Sequence, residues 1–289
     1  MKNIDVGQIT VKPVVEDLRA FFDPETFFPD LTRDIVEAER GWMEPHFYDS
    51  ASGNLVLNVQ GFVFEAGGKT ILADTCVGNH KQGRNNPAWN GGEWPWLENL
   101  QIAGCTPEDI DIVLCTHLHV DHAGWHSRLE NGVWVPTFPN AQYLSARDEM
   151  AALEHKRVHG SPQYAHLYED SILPVIQSGQ LMLVDSTHKV ADGVSLEPSP
   201  GHTPGHVSIR LNSVGAEAVV IGDMMHHPIQ ALYPQWNSRV CEDAELARRT
   251  RREFLQASAG RDITVLPGHF MAGRVIEAGE AFRFEFDLD

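Results

Sequence analysis

The sequence predicts an α/β protein whose buried strands end at potential metal ligands. Short apolar runs at residues 110–115, 218–221 and 263–266 have the length of buried strands, and His or Asp follows each within three residues. Residues 145–158 and 243–258 have helix-like patterns, and we predict that Ser145 caps the first helix and that Asp243 opens the second. The chain has 289 residues, 42% of them hydrophobic. This length and composition suffice for one large α/β domain or two small ones.

The charge balance argues against a nucleic-acid partner. The formal net charge is -18, whereas phosphate binding needs clustered Lys and Arg. One group of arginines stands out, at positions 248, 249, 251 and 252, but Glu245 and Glu253 flank it. We interpret this group as the solvated face of a helix.

Cysteine usage and the N-terminal residues predict a cytoplasmic protein. The four cysteines, at positions 76, 105, 115 and 241, have no disulfide-like spacing, which fits a reducing compartment. Residues 1–7 contain no apolar core or cleavage site, and the chain has no run of ~18 apolar residues. Neither export nor a membrane partner is therefore expected.

The N-terminal quarter combines predicted strands with a long aromatic stretch. Residues 9–15 read as a strand, in which Pro13 indicates a sheet edge. The aromatic stretch that follows, up to residue 54, either caps the core or folds over a pocket as an apolar wall. Residues 55–74 predict an antiparallel hairpin. Asp74 at its end is either an ordinary turn residue or a hydrogen-bond partner of a ligand histidine.

The connections after this hairpin predict a loop and several helices. Residues 79–96 read as a loop, basic at Lys81 and Arg84 and rich in tryptophan, that could line a substrate cleft. A helix over 97–103 would end at Gly104. A strand is expected over 138–144. We interpret three histidines in polar helical surroundings as surface residues, namely His155, His159 and His166.

A metal site is predicted where the strand over 110–115 ends. The next residues are Thr-His-Leu-His-Val-Asp-His, so His117, His119, Asp121 and His122 offer four ligands in one loop. Imidazole and carboxylate suit zinc and its first-row neighbours. The i, i+2 spacing aims His117 and His119 to the same side, and Asp121 and His122 point elsewhere. Two adjacent metals are therefore expected. A structural zinc site is the alternative, but such sites usually recruit cysteine.

Further ligands are expected in three other loops that follow strands. Residues 194–198 lead into a Pro- and Gly-rich turn that presents His202. The run 218–221 ends in Gly222-Asp223, and the run 263–266 leads to His269. Loops held by a rigid sheet supply the fixed geometry that a metal site needs.

These four ligand-bearing segments together resemble the metallo-β-lactamase superfamily of binuclear metallohydrolases. The shared motifs are His-x-His-x-Asp-His, Gly-His-Thr-Pro-Gly-His, Gly-Asp, and Gly-His after a strand, and they extend from about residue 55 to the C-terminus. The resemblance implies an αβ/βα sandwich, with two mixed sheets face to face, helices outside and metals at one edge. It implies one domain, which we predict to span residues 1–289. The N-terminal strand and aromatic loop over residues 1–54 are expected to cover the active-site cleft.

The resemblance also implies a ligand set. One metal would be held by His117, His119 and His202. The other would be held by Asp121, His122 and His269. Asp223 would bridge the two, and His206 would brace its turn without binding. The metals would be two divalent ions, with Zn²⁺ expected first and Fe, Mn or Co as alternatives. Water held between them would have its pKa brought to about 7, and Asp121 would also orient it.

Three segments resemble the branch that holds N-acyl homoserine lactone lactonases and methyl parathion hydrolase. They are Asp-Thr-Cys-Val-Gly-Asn at 74–79, Thr-Phe-Pro-Asn-Ala at 137–141 and Gly-Asp-Met-Met-His at 222–226. Lactonases of this branch have a tyrosine three residues after the bridging Asp, and this chain has His226. His226 is therefore the candidate proton donor, whereas His227 and Tyr233 are assigned packing roles.

The resulting prediction is a zinc-dependent hydrolase of a small ester-like molecule, with a lactone as the first candidate and quorum quenching as its context. An organophosphate triesterase is the alternative that His226 favours. A β-lactamase, a thioester hydrolase, a flavodiiron-type oxidoreductase and a metal-binding scaffold rank below these. The C-terminal residues 281–288 alternate like an edge strand that closes the sheet or pairs with a second subunit, so a homodimer is considered.

Overall fold

The computed structural model of the protein describes residues 2–286, apart from the side chains of residues 19–21. The strands are β1 (Ile4–Val6), β2 (Ile9–Phe22), β3 (Tyr48–Asp49), β4 (Asn54–Ala66), β5 (Lys69–Ala73), β6 (Ile112–Leu114), β7 (Ser127–Glu130), β8 (Val133–Pro136), β9 (Gln142–Ala146), β10 (Leu181–Val184), β11 (Lys189–Ala191), β12 (Val194–Pro198), β13 (Val207–Ser213), β14 (Ala216–Gly222), β15 (Ile263–Pro267), β16 (Gly273–Ala278) and β17 (Ala281–Phe286). The helices are α1 (Pro24–Phe27), α2 (Arg33–Met43), α3 (Trp96–Ile102), α4 (Arg147–His159), α5 (Pro162–Leu167), α6 (Leu173–Gln177), α7 (Ile229–Leu232) and α8 (Ala244–Ser258).

Two mixed sheets form the frame of the molecule. The first has the spatial order β1-β2-β4-β5-β6-β9-β10, with β3 paired to β4. The second has the order β11-β12-β13-β14-β15-β16-β17, and β7 and β8 form a separate hairpin. Parallel pairing joins β5, β6, β9 and β10 in the first sheet and β14 with β15 in the second. The αβ/βα sandwich expected from the sequence is confirmed by this topology.

The central strands are buried on both faces, as the continuous apolar runs predicted. On β14, Ala218 and Val220 belong to a buried cluster that also contains Leu114 of the first sheet. Val219 and Ile221 belong to the other cluster, which includes side chains of α4 and α8. One face of the sheet therefore packs against the other sheet, and the opposite face packs against helices.

Most predicted elements lie where the sequence pattern placed them. The hairpin over 55–74 is confirmed by antiparallel pairing of β4 with β5. The expected strand over 138–144 begins only at Gln142, because Phe138 and Ala141 are joined by a turn hydrogen bond. The prediction that Ser145 caps the next helix is wrong. Ser145 lies in β9, and Ala146 occupies the cap position without a side-chain bond.

The two ends of the chain lie at the edges of the sheets. β1 pairs only with residues 9–11 of β2, so Pro13 lies beyond its reach, where a missing N–H breaks no ladder bond on that side. β17 is the outermost strand of the second sheet, and the last two residues of the strand predicted over 281–288 lie outside the described range. Pairing of this edge with a second subunit stays a prediction.

The N-terminal segment joins the main core. Phe28, Leu31 and Phe47 are buried in the same cluster as Val113 and Val219 of the two sheets. Because one core spans these elements, we propose that the chain folds as a single domain. None of the helices within residues 2–286 combines the length and the apolarity that crossing a bilayer requires.

The loops after β6, β12, β14 and β15 meet at one edge of the sandwich. Val207 N–H, at the end of the loop after β12, donates to the Thr116 carbonyl over 3.0 Å and joins that loop to the one after β6. Asn58 N–H of β4 donates to the His269 carbonyl over 2.7 Å and fastens the loop after β15 to the first sheet. The distant segments that carry the predicted ligands are thereby held side by side.

Candidate metal centre

The first cluster consists of His117, His119 and His202. His202 Nε2 lies 2.9 Å from His119 Nδ1 and 3.2 Å from His117 Nε2. All three side chains are buried. In a tetrahedral zinc site with Zn–N bonds of about 2.0–2.1 Å, neighbouring ligand nitrogens lie roughly 3.3 Å apart. The three nitrogens therefore have the mutual spacing of ligands to one cation.

The second cluster consists of Asp121, His122 and His269. His269 Nε2 lies 3.4 Å from His122 Nε2 and 3.6 Å from Asp121 Oδ2. Two imidazoles and one carboxylate oxygen thus converge on a second point. The two residues that the spacing assigned to a separate metal, Asp121 and His122, group with a different histidine, although the His122 ring lies 4.1 Å from that of His117.

Asp223 stands between the two clusters. Its Oδ2 lies 3.2 Å from His202 Nε2 and 3.5 Å from His117 Nε2, whereas its Oδ1 lies 2.9 Å from His269 Nε2 and 3.1 Å from His122 Nε2. Oδ1 is buried and none of these short contacts gives it a hydrogen bond of acceptable geometry. An orphaned buried carboxylate oxygen facing imidazole nitrogens is what a shared cation explains.

The protonation states of the ligands fit metal binding. Burial lowers the pKa of His117, His119 and His202 well below the ordinary imidazole value, and the neutral ring is the form that binds metal. Burial also opposes protonation of His122, but the negative charges of Asp223, Asp74 and Asp121 together outweigh it and raise the pKa of His122. The second cluster therefore attracts positive charge strongly.

Hydrogen bonds to the outer ring nitrogens fix the tautomers in the second cluster. His122 Nδ1 lies 3.0 Å from Asp74 Oδ2, and His269 Nδ1 lies 2.8 Å from the Asn58 carbonyl oxygen. Because both partners can only accept, each Nδ1 carries the proton and each Nε2 offers its lone pair inward. Of the two interpretations of Asp74, the structure favours the partner of a ligand histidine.

Asp74 also reaches the first cluster through a threonine. Thr116 Oγ1 donates to the Asp74 carboxylate over 2.9 Å and lies 3.1 Å from His117 Nδ1. Since its hydroxyl proton is used on Asp74, Thr116 accepts the Nδ1–H of His117. One carboxylate at the end of β5 thus orients a histidine of each cluster.

A short turn brings Asp223 into place. Gly222 has φ +47°, and a Cβ on it would lie 2.6 Å from Thr116 Oγ1 and 2.8 Å from His206 Nε2. A side chain would therefore collide with the loop that carries the first cluster. His206 Nε2 accepts the backbone N–H of Asp223 over 3.1 Å, and its Nδ1 lies 2.8 Å from Ser199 Oγ. His206 thus braces the centre without being a ligand, as expected.

His226 lies beside the bridging carboxylate. Its Nε2 is 3.2 Å from Asp223 Oδ2, and its ring stacks on that of His269 at 5.7 Å with an interplanar angle of 6°. The ring of Phe27 meets it edge-on at 5.5 Å. Burial lowers the pKa of His226, which favours a neutral ring. A side chain of the N-terminal segment therefore touches the candidate proton donor.

Several other sequence interpretations can be compared with the structure. His227 Nε2 donates to the Phe47 carbonyl, and Tyr233 OH donates to Glu39 while its ring stacks on Trp236. The packing roles of both residues stay predictions. Three histidines are exposed as predicted, namely His155, His159 and His166.

Three basic side chains are buried. Lys81 and Arg84 in the loop over 79–96 are paired with Asp170, and the role of this loop as the lining of a cleft stays a prediction. The solvated helix face predicted for the arginine group is wrong for Arg251. Its side chain is fully buried and donates to the carbonyls of Met224, Pro234 and Trp236.

Two buried glutamates that support the centre were not identified from the sequence. Glu149 accepts from Leu118 N–H over 2.8 Å and from Thr203 Oγ1 over 2.7 Å, so it joins the two loops of the first cluster. The sequence marked it only as an acidic residue in the first turn of a helix. Glu16 accepts from the Val77 and Gly78 N–H groups and from the Trp125 indole N–H, and no local pattern announces this role.

Comparison with known proteins agrees with this architecture. The signature of the Metallo-beta-lactamase superfamily matches residues 56–269, which is more than half of the chain. An N-acyl homoserine lactonase from Bacillus sp. is 30% identical over 122 residues, covering 42% of this chain and 41% of that protein. The match thus spans well under half of that relative. N-acyl homoserine lactonase AiiB of Agrobacterium fabrum is 24% identical over 254 residues, covering 83% of this chain and 89% of that protein.

Solved structures share the fold over nearly the entire length. The hydrolase AbOPH of the beta lactamase superfamily has a TM-score of 0.81 at 22% identity and covers 99% of this chain and 97% of that one. AidC, a dizinc quorum-quenching lactonase, has a TM-score of 0.77 at 20% identity and covers 100% of this chain and 98% of that one. With its sandwich fold and the matching family signature, the chain belongs to the metallo-beta-lactamase superfamily.

Proposed function

We propose that this protein is a binuclear metal-dependent hydrolase that opens a small ester-like substrate, with a lactone as the first candidate. The observation that supports it best is the Asp223 carboxylate, which turns one oxygen to each of two separate groups of buried ligands. A pair of divalent cations, with zinc expected first, would supply Lewis acidity and a water whose pKa lies near 7. All-His/Asp sites of this kind are the arrangement found in catalytic centres.

The residues around the clusters would bind and orient the reactants. Asp121 has the most exposed side chain of the three residues in the second cluster, with 11% of it accessible. We therefore assign to it the orientation of the attacking water as well as metal binding. The apolar edge of Phe27 beside His226 would exclude bulk water from that side. Because the centre is buried, its hydrogen bonds and charges act in a low-dielectric environment.

His226 would deliver a proton to the departing oxygen. Its Nε2 faces the Asp223 carboxylate, and Ser238 Oγ lies 3.3 Å from its Nδ1, so both ring nitrogens have polar neighbours. An imidazole in this position can pass a proton between the centre and the surrounding hydroxyl. The lactonases of the branch have tyrosine here, so a phosphotriester is the second candidate substrate, and the His226 side chain is the feature that favours it.

The test is a comparison of two substrates on protein loaded with zinc, manganese or cobalt. We expect hydrolysis of an N-acyl homoserine lactone to exceed that of paraoxon, and a clear excess of paraoxon turnover would favour the triesterase instead. His226→Phe should retain both metals and lower kcat by roughly 10²–10⁴-fold, the usual contribution of a general acid. His226→Tyr should recover lactone turnover. If neither substrate nor a panel of esters is hydrolysed, the proposal is wrong.

A further inference from the structure

One short stretch of chain contacts the outer ring nitrogens of the first cluster. We name it the 238–242 segment, and it precedes α8. Cys241 Sγ lies 3.7 Å from His202 Nδ1, and Glu242 Oε1 lies 3.9 Å from His119 Nε2. These are the ring nitrogens that point away from the centre. Two side chains adjacent in sequence therefore face the outer nitrogens of two ligands that come from different loops.

The two histidines use opposite ring atoms. His202 turns Nε2 inward and Nδ1 toward Cys241, whereas His119 turns Nδ1 inward and Nε2 toward Glu242. To bind the same cation, His202 must carry its proton on Nδ1 and His119 must carry its proton on Nε2. An imidazole without an outer partner exchanges between the two tautomers and can rotate. The Cys241 sulfur lies at one outer nitrogen, and the Glu242 carboxylate lies at the other, where the Tyr164 hydroxyl is also found at 3.4 Å. A carboxylate 3.9 Å from His119 Nε2 favours the N–H on that atom by its charge, and a sulfur that accepts favours the N–H on His202 Nδ1.

The 238–242 segment is fastened to the loop that carries His202. Glu242 N–H donates to the His202 carbonyl over 3.0 Å, and Asp243 N–H donates to the Gly201 carbonyl over 3.0 Å. The Glu242 carboxylate is ion-paired with Lys156 of α4, whose side chain is only 11% accessible. This carboxylate therefore has a fixed position between Lys156 and His119.

A buried arginine holds the chain that leads into the segment. Arg251 Nη1 donates to the Trp236 carbonyl over 2.7 Å, and its Nη2 donates to Asn237 Oδ1 over 3.1 Å. Arg251 is fully buried on α8, so a rigid helix defines where the segment starts. The same segment supplies Ser238, which contacts the proposed proton donor.

We propose that the 238–242 segment is the positioning element of the first cluster, with Glu242 and Cys241 setting which nitrogen of His119 and of His202 faces the cation. Glu242 is the stronger of the two because it is charged, whereas a thiol sulfur is a weak acceptor. This inference rests on the proposed metal centre. It adds that the affinity of one metal, and not of the other, depends on a loop that contributes no ligand.

The experiment measures the two zinc affinities by competition with a chromophoric chelator, without any activity assay. His269→Ala removes a ligand of the second cluster and so identifies which affinity belongs to which cluster. Glu242→Gln should weaken zinc binding at the first cluster by roughly 10–100-fold, the usual effect of losing an outer partner of a ligand histidine. The zinc affinity of the second cluster should stay within about twofold of its wild-type value. Cys241→Ala should give a smaller loss that Cys241→Ser restores.

Controls separate positioning from general destabilisation. Glu245→Gln changes an exposed glutamate in the first turn of α8, the helix that follows the 238–242 segment. It should leave both zinc affinities unchanged. The melting temperatures of chelator-treated Glu242→Gln and wild type measure the stability lost with the Lys156 ion pair separately from the loss of zinc affinity. Wild-type affinities in both Glu242→Gln and Cys241→Ala would overturn the inference alone, as would equal losses at the two clusters. A wild-type protein that binds no divalent metal would overturn the proposed function as well.

Discussion

The second cluster is held by strands of the first sheet, whereas the first cluster is held by loops and helix ends. In the second cluster the outer nitrogens of the histidines meet Asp74, directly after β5, and the Asn58 carbonyl of β4. In the first cluster they meet Thr116, Cys241 and Glu242, which lie in connecting segments. Sites built on strands are positioned more rigidly than sites built on loops. Chemically similar ligand sets are therefore expected to bind with unequal affinity, the second cluster more tightly.

Each cluster nevertheless has one buried glutamate whose hydrogen bonds support the surrounding segments. Glu149 joins the loops of the first cluster, and Glu16 joins the segment that follows Asp74 to the segment that follows His122. Burial raises the pKa of both carboxyl groups, that of Glu16 to about 7. The comparison between the clusters thus extends to groups that never touch a metal, and it can be tested with four changes of decreasing effect.

The largest effect is expected for Asp223→Ala, which should abolish the difference in metal affinity between the two clusters. Its two oxygens face both ligand groups, and removing it leaves the cations without their shared counter-charge. Breaking a buried ion pair costs about 3–5 kcal/mol, or about two to four orders of magnitude in affinity. Chelator competition should show both metals weakened, by more than in any single histidine variant. Retention of two tightly bound metals would show that Asp223 does not bridge them.

The second effect concerns Glu16, the buried glutamate that supports the second cluster. The raised pKa of Glu16 means that burial penalises its charged form, so its contribution to stability is fully present below about pH 4.5 and is lost as the pH rises through about 7. Relative to Glu16→Gln, the wild-type free energy of unfolding should fall by roughly 3 kcal/mol over this interval. Denaturant unfolding of both proteins at several pH values, with chelator present, measures the difference. Parallel pH profiles would contradict this assignment.

The third effect is selective for the second cluster. Asp74→Asn keeps the shape of the side chain, and asparagine tolerates the left-handed backbone at this position, where φ is 58°. It removes the charge that faces His122, so zinc binding at the second cluster should weaken by about 10–100-fold. The first cluster should weaken less, because Asp74 reaches His117 only through Thr116. A larger loss at the first cluster would reverse the comparison.

The two groups of candidate ligands that meet in the structure could be predicted from the sequence because the signal for each is local. His117, His202, Asp223 and His269 all follow apolar strands, and glycine or proline marks three of the four turns. The i, i+2 spacing in the first loop also separated the two clusters before any fold was known. Strand β13 carries an alternation of Val, Ile and Leu with polar residues that would have identified it as well.

The supporting residues could not be predicted in the same way, because their roles depend on distant partners. Arg251 lies among arginines flanked by glutamates, and only the carbonyls of a folded connection give it a reason to be buried. Glu149 serves a helix N-terminus equally well on a surface, and its bond to Leu118 joins residues 31 positions apart. The 238–242 segment has no hydrophobic periodicity. The roles of its side chains depend on contacts with the loops of the first cluster, which form only in the folded chain.

The smallest effect sharpens the assignment within the first cluster. Tyr164 OH lies 3.4 Å from His119 Nε2, beside the Glu242 carboxylate, and burial raises the pKa of Tyr164 to about 12, so the phenol stays neutral. A neutral hydrogen bond contributes about 0.5–1.5 kcal/mol, so Tyr164→Phe should weaken zinc at the first cluster by about two- to tenfold. The same chelator competition measures it, with Tyr168→Phe on the adjoining helical turn as the matched control. A loss as large as that of Glu242→Gln would make the phenol, and not the carboxylate, the group that sets the tautomer of His119.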